Sequence, residues 1–434
     1  MQQNLLEKIN HRSAVVGIVG LGYVGLPLAM EFARAGLPVI GVDVDLRKVE
    51  ALRRGESYVQ DVPAAQVQEW LTAGRFQPTA DYGELRAADA VIICVPTPLR
   101  KTRDPDMSYI VSAAENVLAV SHPGMLIVLE STTYPGTTEE VFLPPLQTLG
   151  YTVGQDFFLA FSPERIDPGN QKFSVHNTPK VVGGLTPACT QVAAALYSAA
   201  IKTVVPVSSP RAAEMVKLLE NTFRAVNIGL VNEVALMCGK LGIDVWEVIE
   251  AAATKPYGFM KFTPGPGIGG HCIPVDPLYL SWKLKALNYT ARFIELADTI
   301  NGQMPHHVIS LAADALNEAG KPLRGSTVLV LGAAYKPDID DVRESPALDV
   351  MIELQRRHAH VQYHDPFVPQ VRVGEQLLKS MPLSAAALAA ADCVIIITPH
   401  TQTDWDLVAQ HAPVIVDTRN ALKGRAISGR LLRL

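Results

Sequence analysis

From Ala14 to about Pro206, short runs of β-branched and other apolar residues alternate with longer stretches rich in Ala and Leu. Strand-length runs separated by helix-length patterns predict a parallel sheet covered by helices. VVGIVG ends a first strand, LPVIGVDVD reads as a second, and ADAVIICVPTP and MLIVLEST as later ones, each stopped at its carboxyl end by polar residues, Gly or Pro. Sheets of this kind gather their ligands at those ends.

The pattern changes after Ser208 and Pro210. Residues 211–242 contain no Pro and only Gly229 and Gly239 ahead of the final Gly242, which predicts one helix of about thirty residues, long enough to act as a spine linking two domains. The last third then repeats the first in outline: STVLVLGAAYKP, HVQYHDP, ADCVIIITPH and VIVDTRN mirror the earlier strand-and-stop pieces. AGKPLRG, spanning Gly320 and Gly325, marks the boundary. Two related α/β domains are expected. The second carries only Gly332 where the first has three spaced glycines, so its backbone cannot approach a pyrophosphate in the same way.

Bulk properties narrow the function. With 434 residues, 48% of them apolar, the chain can fill more than one core. A formal charge of -5 without long like-charged runs gives no electrostatic case for nucleic acid or an anionic membrane, and points to a small-molecule partner. Met1 to Arg12 is polar and lacks the apolar stretch of a signal peptide, so a cytoplasmic location is expected. Five scattered cysteines without CxxC pairing indicate neither a disulfide framework nor a metal site.

Gly20, Gly22 and Gly25 form GLGYVG between a strand and a helix, and Asp43 closes the next strand. Strand, glycines, helix, strand and acid in this order fit a turn that seats a pyrophosphate on a helix N-terminus. Asp43 would accept from the adenosine ribose hydroxyls and repel a 2'-phosphate, favouring NAD over NADP. Glycines serving only tight packing are the bland alternative. In PGPGIGGHCIPVD (264–276), a stiff glycine- and proline-rich loop leads straight into Cys272. A buried inert thiol is the commoner fate of a lone cysteine, but a loop that can approach a sugar or phosphate while presenting a thiol suits nucleophilic trapping of an aldehyde. On the long helix Lys217, Asn221 and Arg224 fall at i, i+4 and i+7, one polar stripe among apolar neighbours. FSPERIDPGN offers Glu164, Arg165 and Asp167, and AYKPDIDDVRESP sets Lys336 and Arg343 among acids; either could be loop solvation alone.

Taken in order, GLGYVGLPLA, CVPTP, STTYPGTT, FSPERIDPG, KLLENTFRAVNI, PGPGIGGHCIPVDP and AYKPDIDDVRESP resemble the UDP-glucose/UDP-N-acetylhexosamine 6-dehydrogenase family over almost the whole chain. The resemblance implies an α/β chain with two Rossmann-like domains, joined by a long central helix and an α-helical dimerisation region. The implied division is an NAD-binding domain over 1–206, a central helical region with the Cys loop over 207–310, and a UDP-binding domain over 311–434. It also implies a homodimer or higher homo-oligomer, and a four-electron oxidation by two NAD molecules in turn.

Cys272 matches the family nucleophile, Lys217 and Asn221 its oxyanion donors, and Glu164 and Asp276 its acidic positions. Tyr23, Val24, Asp43, Lys48, Thr97, Thr132 and Arg343 match cofactor contacts, alongside the three glycines. Glu164, Arg165, Ile166, Lys217, Asn221, Arg224, Gly269 and Lys336 match contacts to the nucleotide sugar. Where UDP-glucose enzymes place an arginine reaching into the neighbouring subunit, TKPYGFMKF has Pro256 at the corresponding spacing, and Lys255 or Tyr257 is the expected substitute. GGHC and PERIDPGN look like the N-acetylhexosamine branch, and PERIDPGN with TKPYGFM looks most like enzymes acting on UDP-N-acetylglucosamine. The UDP-N-acetylmannosamine, UDP-N-acetylgalactosamine and UDP-glucose reactions follow as alternatives, and the product would feed a surface polysaccharide such as O-antigen or capsule. Two rival classes are a two-electron hydroxyacid-type dehydrogenase, which needs no cysteine, and a nucleotide-sugar binding protein without turnover, against which Cys272, Lys217 and Asn221 argue.

Overall fold

The computed structural model describes residues 1–100, 104–166, 172–270 and 272–434, so Asp167 and His271 of the motifs above lie outside the described residues. The chain divides into two compact units, Met1–Glu220 and Asn221–Leu434. No helix among the described residues is long and apolar enough to cross a membrane.

The first unit is built on an eight-stranded sheet. Its strands are β1 (Val16–Val19), β2 (Val39–Val42), β3 (Phe76–Thr79), β4 (Ala90–Ile93), β5 (Leu126–Leu129), β6 (Phe158–Phe161), β7 (Lys180–Gly184) and β8 (Val204–Val207), in the order β3-β2-β1-β4-β5-β6-β7-β8. The chain reverses direction across the sheet between β1 and β4, the switch point at which such folds bind nucleotides. Both faces are buried. Alternate residues feed opposite cores: Val16, Ile18, Ala90, Ile92, Leu126 and Val128 lie in one, and Val19, Val91, Ile93, Ile127 and Leu129 in the other.

Two features differ from the sequence reading. β7 pairs antiparallel with β6, through Ala160 with Gly184 and Phe161 with Gly183, so the sheet is not wholly parallel. A parallel return needs a crossover, and the described residues between these strands form no helix. The polar N-terminus is also structured: Gln2–Asn10 is a helix that buries Leu5 and Ile9 in the first core.

In the second unit β9 (Thr327–Leu331), β10 (His360–His364), β13 (Cys393–Ile396), β14 (Val414–Asp417) and β15 (Arg430–Arg433) form a parallel sheet, and β11 (Gln370–Val373) and β12 (Gln376–Lys379) a separate hairpin. The sheet order β10-β9-β13-β14-β15 is again doubly wound, with its switch point between β9 and β13. The predicted spine is one helix, Pro210–Leu241, and a second long helix, Arg292–Glu318, packs on the second sheet. These two helices are tied to the cysteine loop by a buried amide chain. Asn232 Oδ1 accepts the Gly265 N–H at 2.9 Å, Asn232 Nδ2 donates to Asn301 Oδ1 at 2.9 Å, and Asn301 Nδ2 donates to the Ala225 carbonyl at 3.2 Å. Gly229 lets the helices close up, since a Cβ there would lie 3.2 Å from the Ala297 backbone.

Removing the Asn232 amide strands the Gly265 N–H and the Asn301 oxygen in a dry interior. Asn232→Ala should therefore cost roughly 2 kcal/mol or more, seen as a lower urea midpoint; an unchanged midpoint would mean the amide chain does not hold the loop.

Candidate active site

The first unit presents a nucleotide cradle. Gly20 follows β1 with φ +92°, and its N–H donates to the Val42 carbonyl at 2.7 Å. A Cβ on Gly25 would stand 1.8 Å from the Gly20 oxygen, so only glycine lets the helix Gly25–Arg34 start this close to the strand. At Gly22 a Cβ would meet nothing within 4 Å. That open face is what a pyrophosphate lying against the backbone requires, so the cradle fits the cofactor. Asp43 is buried, with one oxygen accepting the Leu21 N–H at 2.9 Å and Lys48 Nζ at 3.2 Å, and the other the Asp45 N–H at 2.9 Å. It therefore pins the glycine turn, and the oxygen that accepts only the Asp45 N–H keeps acceptor capacity for a ribose hydroxyl. Thr97 is buried, Thr132 half-buried and Tyr23 exposed. The STTYPGTT turn is fixed by Glu214 of the spine helix, which accepts the N–H groups of Gly136 at 2.6 Å and Thr138 at 2.9 Å.

Glu164 lies at the carboxyl end of the same sheet. Its Oε1 accepts the backbone N–H groups of Arg165 at 2.7 Å and Ile166 at 2.5 Å, its Oε2 faces Lys180 Nζ at 3.4 Å, and its carbonyl accepts from Lys217 Nζ at 2.5 Å. Burial pushes this carboxyl up, but the Lys180 and Lys217 charges and the backbone donors outweigh it and hold it below the ordinary glutamate range. Arg165 is engaged by Glu220, at 2.6 and 3.3 Å, and by the Pro179 carbonyl at 2.6 Å.

In the second unit the loop carrying Cys272 is moulded by contacts that exclude side chains. Cβ atoms at Gly265 and Gly269 would lie 2.2 Å from the Arg419 guanidinium and 2.5 Å from Tyr335, while Gly267 and Gly270 take φ of +129° and +87°. The Gly270 N–H donates to the Arg343 carbonyl at 3.0 Å, which brings the cysteine loop and the AYKPDIDDVRESP segment together. Cys272 is exposed and in no disulfide. It sits one turn ahead of the helix Asp276–Lys285, and its carbonyl accepts the Asp276 N–H at 2.8 Å. Asp276 is buried and accepts from Asn221 Nδ2 at 2.5 Å. Of the polar stripe on the spine helix, Lys217 and Asn221 are buried and Arg224 is exposed. Tyr257 is 73% exposed with the Lys255 ammonium over its ring at 5.2 Å, and Arg343 pairs with Asp341 at 2.6 Å.

Three charged residues of these surroundings were not singled out from sequence. Glu130 and Lys180 are buried beside Glu164, and their signal was a charge directly after LIVL and directly before VVGG, both all-apolar runs. Arg419, in VIVDTRN, donates Nε to the Ile397 carbonyl at 3.1 Å and faces no carboxylate among the described residues; burial pulls it down to about 10. A desolvated guanidinium with spare donors against a glycine loop suits an anion.

Three domain profiles of the UDP-glucose/GDP-mannose dehydrogenase family match the chain: its NAD binding domain over residues 14–201, its central domain over 211–303 and its UDP binding domain over 329–424. The chain is 37% identical to the UDP-N-acetyl-D-mannosamine dehydrogenase of Salmonella typhimurium over 93% of its own length and 98% of the relative's. It is 35% identical to the UDP-N-acetyl-D-glucosamine 6-dehydrogenase of Pseudomonas aeruginosa over 89% of its own length and 90% of the relative's. Among solved structures, the UDP-D-ManNAc dehydrogenase of Pyrococcus horikoshii superimposes with a TM-score of 0.88 at 33% identity, covering 96% of this chain and 98% of that one.

The three glycines make separable demands. Gly22→Ala should leave the melting temperature unchanged while weakening NAD binding about tenfold or more. Gly25→Ala, which must displace backbone, should lower stability by about 1–3 kcal/mol. Titration of NAD against each variant, beside thermal melts, checks the contrast.

Proposed function

The chain belongs to the UDP-glucose/GDP-mannose dehydrogenase family, whose members are NAD-dependent nucleotide-sugar dehydrogenases, and from that premise we propose that it oxidises the C6 hydroxymethyl group of UDP-N-acetyl-D-glucosamine to the carboxylate of UDP-N-acetyl-D-glucosaminuronate. The observation that carries this reading is the cysteine loop: an exposed thiol one turn ahead of a buried aspartate that is itself held by Asn221. GGHC and PERIDPGN support an N-acetylhexosamine, and PERIDPGN with TKPYGFM supports the gluco sugar; the 37% identity to a UDP-N-acetyl-D-mannosamine dehydrogenase makes the C2 epimer the second reading.

The overall change consumes one alcohol, two NAD and one water, and gives one carboxylate, two NADH and three protons. NAD, held on Gly20, Gly22, Gly25 and Asp43, supplies the acceptor for both hydrides. The chain's own residues do the remainder. Cys272 as thiolate adds to the aldehyde carbon, forming a C–S bond and leaving negative charge on oxygen. Lys217, with ammonium hydrogens beyond the one given to Glu164, and Asn221, with a second amide hydrogen, donate to that oxyanion; each well-aimed donor is worth about 3 kcal/mol. At the thioester stage water attacks the carbonyl carbon, ionised Glu164 takes its proton, and the Cys272 thiolate leaves. Asp276 orients the Asn221 amide. Arg224, Gly269, Lys336 and Arg419 serve the UDP moiety, with Arg419 meeting the diphosphate.

We assign 1–206, 207–310 and 311–434 to cofactor binding, the central helical region and UDP binding, and place the enzyme in the cytoplasm, supplying a surface polysaccharide. A homodimer is supported by the spine helix, where Met215, Leu219, Phe223, Leu230, Met237 and Leu241 form an exposed apolar stripe at helical spacing.

Two tests address the proposal. Absorbance at 340 nm should rise by two NADH per UDP-N-acetylglucosamine consumed, and Cys272→Ser should stall before the carboxylate; one NADH per sugar with an active Cys272→Ser variant would overturn the thioester route, and turnover of the manno epimer alone would overturn the sugar. Leu219→Asp with Leu230→Asp should convert a dimer to a monomer by light scattering, and a wild-type chain that is already monomeric would remove the stripe's role.

A further inference from the structure

The sheet carries a buried ionic network that the chemistry above does not use. Because β7 runs against β6, its first residue, Lys180, arrives at the carboxyl edge, where Glu130 directly follows β5 and β6 leads to Glu164. Lys180 Nζ donates to Glu130 Oε1 and faces Glu164 Oε2 at 3.4 Å, Tyr197 Oη donates to Glu130 Oε2 at 2.5 Å, and the Lys180 ammonium lies over the Tyr197 ring, 5.3 Å from its centre. Glu130 is 1% exposed, Lys180 4% and Tyr197 fully buried.

Burying two carboxylates around one ammonium is costly unless the arrangement serves something, because apolar residues of the same volume would pack as well. The network reaches a residue proposed for the reaction at one point, Glu164. We propose that Lys180 and Glu130 are positioning residues for Glu164: Lys180 fixes its side chain in one orientation as a carboxylate, and Glu130 with Tyr197 fixes Lys180. This rests on the reading that Glu164 takes the proton of the attacking water.

The surrounding charges agree with that division. Burial and the Glu164 charge push Glu130 up, against the pull of Lys180, so Glu130 is the member of the acidic pair that accepts a proton first. Burial drives the Cys94 thiol and the Tyr197 phenol well above their ordinary values, so both stay neutral beside the network. Lys217 supplies the other cation facing Glu164, and Arg165 is paired with Glu220.

The test compares kcat–pH profiles, with UDP-N-acetylglucosamine and NAD saturating, for wild type, Lys180→Met, Glu130→Gln/Lys180→Met, Glu164→Gln and Lys180→Met/Glu164→Gln, each with a thermal melt. Lys180→Met removes the nearest cation, so Glu164 should protonate at higher pH: the acid limb should move up by about one unit or more and kcat should fall about tenfold or more, with KM for the sugar nearly unchanged. The Glu130→Gln/Lys180→Met variant, which removes the charge of Glu130 along with that of Lys180, should fold even if the single one does not and should lose kcat similarly. Added to Glu164→Gln, Lys180→Met should cost less than about twofold further, whereas a purely structural role would give additive losses. A Glu164→Gln variant that is impaired beside Lys180 variants with wild-type kcat and acid limb would overturn the positioning role alone. A fully active Glu164→Gln variant would overturn the reading beneath it, and the positioning role with it.

Discussion

The architecture depends on one recurrent constraint: the turn after the first strand of each doubly wound sheet must leave its backbone N–H groups facing inward, and a buried acid at the end of the second strand satisfies them. In the first unit Asp43 accepts the Leu21 N–H. In the second, Asp365 accepts those of Ala333 at 2.7 Å and Ala334 at 3.0 Å, and is braced by His400 Nε2 at 2.9 Å. An unpaired buried carboxylate or N–H would cost more than these turns could recover, so acid and turn exist together or not at all. The same device leads to different ligands because only the first turn continues into spaced glycines that bare its backbone. At the second, a Cβ on Gly332 would lie 2.4 Å from the Thr398 carbonyl, so that glycine serves strand packing.

Close approach governs the cysteine loop as well. Its glycines do not make it loose: Arg419, Tyr335 and Pro346 fill the space where side chains would stand, and Asn232 takes up the Gly265 N–H. A thiol that is to meet a bound carbon gains from such rigidity, since a displacement of about 1 Å can cost a hundredfold in rate. The helix that begins at Asp276 continues the same fixation, because its first turn is hydrogen-bonded to the Cys272 carbonyl.

Much of this was legible in the sequence wherever local pattern carries the information. The three glycines with Asp43, the thirty-residue helix and the glycine loop before Cys272 all follow from spacing along one segment, and the degenerate second copy was visible as a single glycine. What stayed hidden depends on partners far apart. Lys180 and Glu130 are 50 residues apart, and nothing in TPKVVGG says that its strand runs backwards, although that reversal is what delivers the lysine to the edge. Asn232 and Asn301 lie 69 residues apart on two helices, and each alone reads as an ordinary polar position. The N-terminal helix was missed because two buried residues in nine leave too faint a period to stand out. The stripe of Lys217, Asn221 and Arg224 was read correctly as helical, but burial, which separates Arg224 from the other two, is not a property of spacing.

The same reasoning explains why whole-chain similarity is a weak guide to the sugar. Relatives named for sugars that are epimers at C2 are 37% and 35% identical to this chain. Residues that act on one carbon of a sugar have no reason to differ with the configuration at another, and neither do the cofactor turn or the sheets beneath them. One epimeric hydroxyl or acetamido group is read by one or two hydrogen bonds, and a site built around such a bond rejects the wrong partner strongly because its own polar groups are then left unpaired. Selectivity of that kind is concentrated in a few side chains outside the shared motifs. In this chain TKPYGFMKF departs most plainly from the UDP-glucose pattern, and its Tyr257 and Lys255 stand exposed and stacked on one another rather than committed to the core. Two side chains count for almost nothing in an identity averaged over 434 positions, so whole-chain similarity passes over a choice made by so few.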